Sequence, residues 1–186
     1  MKQVEDSEIL EKFSNEKTRN EAFNLLLTKY QQKIYWHIRR LVIDHDDTDD
    51  LVQDVFVKVW KNLEKFRSDA QLYTWIYRIA TNESITFLNK KKQRNNIPLD
   101  EVSGELADTL VASEYFDGDK LQMKLQKALL TLPDKQRLIF NMKYFDELKY
   151  EEISEITGTS VGALKASFHI AVKKIEAFML NDDVTF

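Results

Sequence analysis

The chain has 186 residues, 43% of them hydrophobic, with 4 Gly, 2 Pro and no Cys. That length suits one ordinary domain or two small ones, and the apolar content is too high for general disorder. Without cysteine there are no disulfides or thiolate metal sites, and a reducing compartment fits, so a cytoplasmic protein is expected. The formal net charge of −4 argues weakly against DNA binding, but the acids are unevenly placed. Residues 1–94 hold 17 Lys and Arg against 15 Asp and Glu, residues 120–186 hold 10 against 9, and residues 95–119 hold none against 7. The two flanks are therefore near neutral and leave room for local basic patches. The start, MKQVEDSEIL, lacks the apolar core of a secretory signal. No apolar run approaches the ~18–20 residues that a membrane span needs.

Scarce Gly and Pro predict long helices. Residues 21–43 place Phe23, Leu26, Leu27, Tyr30, Ile34 and Ile38 at helical spacing. The acid run DHDDTDD (44–50) follows. It begins like a calcium loop but lacks the glycine at the sixth position and the distal Glu, so no metal site is expected. Asp47, Thr48 and Asp49 serve better as helix-start residues. Next, LVQDVFVKVWKNLEKF sets Leu51, Val55, Val59 and Leu63 at four-residue steps. The turn RSDA (67–70) leads into LYTWIYRIATN, a helix predicted to run to about Lys90 and to end in KKKQR (90–94). At ~100° per residue, Leu72, Trp75, Ile76, Ile79 and Ala80 form its core face. Thr74, Arg78 and Thr81 fall opposite, Tyr73 and Tyr77 at one edge, and Asn82 beside Trp75 at the other.

Residues 95–119 combine a Pro, two Gly and acids throughout, and read as a linker with apolar docking points at Leu99, Val102, Leu106, Leu110, Tyr115 and Phe116. A second helical set begins near Lys120 with a stripe of Leu121, Leu125, Ala128, Leu129 and Leu132. Pro133 marks the start of another helix, carrying Leu138, Ile139 and Met142. A short helix near 150–156 reaches Gly158. A longer one starts at Ser160, its N-cap, with Val161, Leu164, Phe168, Val172 and Ile175 on one face. Two helices around a glycine turn describe a helix-turn-helix.

These segments resemble the sigma-70 family, specifically its short extracytoplasmic-function group. AFNLLLTKY (22–30) and DDLVQDVFVKVW (49–60) are similar to the start of the family's first domain and to its core-polymerase-binding helix. FRSDAQLYTWIYRIATN (66–82) resembles the promoter-melting segment, and residues 125–166 resemble the second DNA-binding region. The resemblance implies an all-α chain: a domain at 1–94, an acidic linker at 95–119, and a helix-turn-helix domain at 120–186. It implies a factor that directs RNA polymerase to promoters without catalysis or cofactor. An anti-sigma protein is the expected regulator.

On the residues, the resemblance implies that Asp50, Gln53, Asp54 and Phe56 face core RNA polymerase. Phe66, Arg67, Ser68, Asp69, Ala70 and Asn82 would capture an extruded base of the downstream promoter element. By their charge alone, Arg78, Lys90, Lys91, Lys92 and Arg94 are candidates for phosphate contacts. Thr159, Ser160, Gly162, Ala163, Lys165, Ala166 and His169 would read the upstream element. The chain departs from the family pattern at Ser167 and Ile170, where arginines are usual, which puts that element's identity in doubt. Read without the family, an acid-rich first turn, a surface Asn82 and a basic helix end are all ordinary solvated features. A stand-alone helix-turn-helix regulator is the alternative function, and a helical adaptor a third. His37, His45 and His169 are scattered singles, and neither a His-plus-nucleophile group nor a phosphate-cradling loop is visible. With few net positive charges in each half, affinity for DNA alone is expected to be poor.

Overall fold

The computed structural model describes residues 4–66, 71–95 and 120–180. Among them are eight α-helices and one short 3₁₀ turn, with no strand. The chain divides into two compact units, residues 1–86 and 87–186. The expected linker lies, from residue 96 to 119, outside the described residues, and so do its docking points. No helix among the described residues is long and apolar enough to cross a membrane.

The first unit is built around α2 (Arg19–Val42), which packs on α1 (Asp6–Ser14) and on α3 (His45–Asn62). Leu26, Tyr30, Ile34 and Ile38 are buried along α2, as the spacing predicts. Leu51, Val55, Val59 and Leu63 are buried along α3 and the 3₁₀ turn Leu63–Lys65. Each such side chain contributes roughly 1.5–3 kcal/mol of burial. α1 is not among the predicted elements, because it buries only Ile9 and Phe13, too few to make a stripe. Phe13 and Phe23 meet Trp60 edge-on, with centroids at 5.2 and 4.9 Å. The Tyr30 hydroxyl donates to Asp6 Oδ1 at 2.6 Å. Burial first, then the Asp6 contact, holds that phenol neutral well above its ordinary range. α3 starts earlier than expected. Asp44 is its N-cap, accepting from the Asp47 N–H at 2.9 Å, so the predicted start residues 47–49 lie inside the helix.

α4 (Leu72–Asn95) departs most from its predicted face. Leu72, Ile76 and Ala80 are buried as expected, but so are Tyr77, Thr74, Thr81 and Ser84, while Trp75 and Ile79 are only half-buried. The buried arc is rotated toward the threonines and covers more than half of the circumference. Buried hydroxyls need partners. Thr81 Oγ1 lies 3.0 Å from His37 Nε2, and Ser84 Oγ donates to the Ala80 carbonyl at 2.9 Å. A helical wheel cannot see a histidine 44 positions away.

The second unit contains α5 (Lys120–Leu130), α6 (Asp134–Tyr144), α7 (Tyr150–Thr157) and α8 (Val161–Leu180). Ala128, Leu129, Leu132, Phe140, Ala171 and Ile175 form one cluster of its core, with Phe168 stacked on Phe140 at 5.6 Å. Leu121 is 65% exposed, unlike the rest of its stripe. Pro133 caps α6, where its fixed φ suits a helix start. Arg137 is buried beside Asp134 at 3.2 Å; burial pulls its guanidinium below the ordinary value and Asp134 opposes that. The Lys149 N–H donates to Glu152 Oε2 at 2.7 Å at the start of α7. Gly158 ends α7 with φ +69°, and Ser160 Oγ accepts from the Ala163 N–H at 3.4 Å at the start of α8.

A Cβ at Gly158 would meet nothing within 4 Å. The penalty of Gly158→Ala is therefore left-handed backbone strain alone, about 1 kcal/mol in urea denaturation, with Gly158→Asn costing less. Thr81→Val removes the hydroxyl that meets His37 and is expected to cost about 1–2 kcal/mol by the same measurement.

Candidate functional site

Three surfaces gather the residues singled out in the sequence. The first is on α3. Asp50, Gln53 and Asp54 are exposed and share a face with Val57, itself 48% exposed. A polar rim around an exposed apolar side chain suits a protein interface. Phe56 does not join this face: it is 6% exposed, in line with the buried Val52 and Val59 three and four residues away.

The second surface lies between α3 and α4. A cleft of about 350 Å³ is lined by Lys58, Asn62 and Lys65 on one side and by Trp75, Ile79, Asn82 and Glu83 on the other. Trp75, expected in the core, instead forms part of the wall, with Phe66 packed on its ring at 5.3 Å. Asn82 is exposed beside it, as its place on the helix predicts. Lys58 is ion-paired with Glu83 across the cleft. Among the described residues Lys65 has no carboxylate partner. A ring face, an amide and ammonium groups can together hold a base and its phosphate. Lys58, Asn62, Lys65 and Glu83 are the residues sequence reasoning missed; the one available signal was the run of positions 58, 62 and 65 across the end of α3 and the 3₁₀ turn after it. Arg67, Ser68, Asp69 and Ala70 lie outside the described residues. Arg78 is exposed on α4 one turn before Asn82, and Lys90, Lys91 and Lys92 follow on its last turns.

The third surface is on α8. Ser160, Gly162, Ala163, Lys165, Ala166 and His169 are exposed, and Thr159 is half-buried in the turn. The Lys165 ammonium sits 5.7 Å from the Tyr150 ring centroid, tying the start of α8 to α7. Ile170 is 46% exposed on the same side, and Lys173 and Lys174 follow it. Residues 161–175 contain no acid. This is the composition expected of a helix that approaches a polyanion.

Comparison with known proteins agrees with both halves. Residues 26–94 match the Sigma-70 region 2 family, and residues 122–175 match Sigma-70, region 4. Over 158 residues the chain is 32% identical to the ECF RNA polymerase sigma factor SigW of Bacillus subtilis, covering 80% of this chain and 84% of that one. It is 29% identical over 182 residues to the ECF RNA polymerase sigma-E factor of Escherichia coli K12, covering 94% of each. In fold it is similar to CnrH, solved with the cytosolic domain of CnrY, with a TM-score of 0.67 at 21% identity over 94% of this chain and 96% of that one. It is equally similar to the sigma factor RpoE of Bartonella quintana, solved with the anti-sigma factor NepR, at TM-score 0.67, 21% identity and coverage of 86% and 98%. With two domain matches in order and a relative at this identity over most of its length, the chain belongs to the sigma-70 family of RNA polymerase sigma factors, in its extracytoplasmic-function group.

Proposed function

We propose that this chain works in the cytoplasm as a specificity factor for transcription, bringing core RNA polymerase to chosen promoters and starting strand opening, with no catalytic step or cofactor of its own. The α3 face of Asp50, Gln53, Asp54 and Val57 docks on polymerase. The cleft around Trp75 and Asn82 takes an unstacked base of the downstream element, and the resemblance adds Arg67, Ser68, Asp69 and Ala70 to that role. Lys65, Arg78 and the lysines at 90–92 hold phosphates, which gives affinity without sequence choice. α8 reads the upstream element in duplex form. The observation that carries this reading is the cleft, because it joins an aromatic wall, an amide and a cation one turn beyond the acidic face of the same helix. A free helix-turn-helix regulator would need only α7 and α8 and leaves that cleft unused.

Regulation by an anti-sigma protein is part of the proposal. RpoE of Bartonella quintana is seen with such a partner.

The docking assignment is tested by co-elution with core RNA polymerase. Wild type is expected to co-elute and Asp50→Ala/Gln53→Ala to lose most of the complex; an unchanged double variant would remove α3 from the interface. The cleft assignment is tested by permanganate footprinting of promoter complexes. Asn82→Ala is expected to keep polymerase binding but to lower the open, permanganate-reactive fraction roughly tenfold, the scale of a lost base-edge contact.

A further inference from the structure

We infer that Ile170 determines specificity at the upstream element by packing on the 5-methyl group of a thymine. The inference rests on the proposed placement of α8 in the major groove and deepens it.

Ile170 is one of few large apolar side chains left exposed among the described residues, at 46%. It stands on α8 one turn beyond Ala166, and Ala166 and His169 beside it are exposed. Its distance from Val161 is ~13 Å along the axis at ~1.5 Å per residue, within reach of a helix lying in a groove. The surroundings favour DNA over an apolar protein partner. Lys165, Lys173 and Lys174 are exposed on the same helix, and the first acid in its sequence is Glu176. A β-branched hydrocarbon cannot bond to the donors and acceptors on guanine, cytosine or adenine edges. The one apolar group on a major-groove edge is the methyl of thymine. Covering that methyl removes apolar surface from water on both sides, while the lysines keep the phosphates close. An arginine at this position, the usual family residue, would reach for hydrogen-bond acceptors instead. Isoleucine therefore offers an apolar contact where the usual residue would offer a charged one.

The test uses reconstituted holoenzyme. A promoter library randomised in the upstream element is first selected for retained complexes. Each enriched thymine is then replaced singly by deoxyuridine, which lacks only the methyl. At one thymine, wild type is expected to lose roughly fourfold in promoter affinity, the worth of one methyl group taken out of water. Ile170→Ala holoenzyme is expected to show no such loss there. Wild type that is indifferent to every thymine-to-uracil change overturns the inference without needing any variant. An equal loss in wild type and Ile170→Ala also overturns it, and assigns the methyl contact to another residue. A library with no upstream enrichment at all sinks the placement of α8 together with the inference. A clear enriched motif without a methyl effect sinks the inference alone.

Discussion

Burial of α4 on more than half of its circumference is the constraint on which the first unit depends. A helix surrounded to that degree has little surface left, so its few exposed positions are decided by packing. Leu72, Ile76, Tyr77 and Ala80 take the core, and Thr74, Thr81 and Ser84 are drawn in with them. What remains outside is a narrow strip that includes Arg78, Asn82 and Ile85. The His37–Thr81 contact helps set this rotation, because a buried imidazole with a polar neighbour fixes where the helix can turn. Turning α4 by one residue would take Asn82 out of the cleft wall and expose threonines that now have places inside.

α3 shows how one physical asymmetry serves two ends. Its first half carries Asp46, Asp47, Asp49, Asp50 and Asp54, and its second half, with the turn after it, carries Lys58, Lys61 and Lys65. Acids in the first turn, Asp46 and Asp47, and a cation in the last, Lys61, are what the helix dipole favours, at roughly 0.3–1 kcal/mol each. The same gradient separates a surface suited to a protein from a cleft suited to a polyanion. Lys58 marks the crossover, since it lines the cleft while paired with Glu83. Folding and the proposed recognition thus ask for the same charge order.

Much of this was legible in the sequence, and what was missed has a common cause. The stripes of α2, α3 and α8 could be read because each helix buries one continuous face, and Leu26, Ile34, Val55, Leu164 and Ile175 declare it by spacing. The helix-turn-helix was legible through Gly158, whose left-handed φ only glycine adopts readily. α1 escaped because two buried side chains make no period. The faces of α4 were misjudged because its apolar residues run almost all round, so that spacing alone does not set its rotation; Thr81 meets His37 of α2 inside. Phe56 was misplaced for the opposite reason: its motif drew attention to the surface, while its spacing from Val52 and Val59 had already put it inside. The cleft itself was invisible, since Lys58, Asn62 and Lys65 meet Trp75 and Asn82 only once two helices are side by side.

Gly162 gives the last consequence. A Cβ there would meet nothing within 4 Å, and no left-handed backbone is involved, so the folded chain has no steric or conformational need of glycine at this point. In a helix, glycine costs ~0.5–1 kcal/mol relative to alanine. The first turn of α8 is therefore softer than the fold requires, on the surface assigned to DNA. Stability and use diverge at this residue. A search for thermostabilising changes guided by the folded chain alone would select alanine at 162 early, and would gain a firmer helix while adding a methyl group to the surface proposed to read the upstream element.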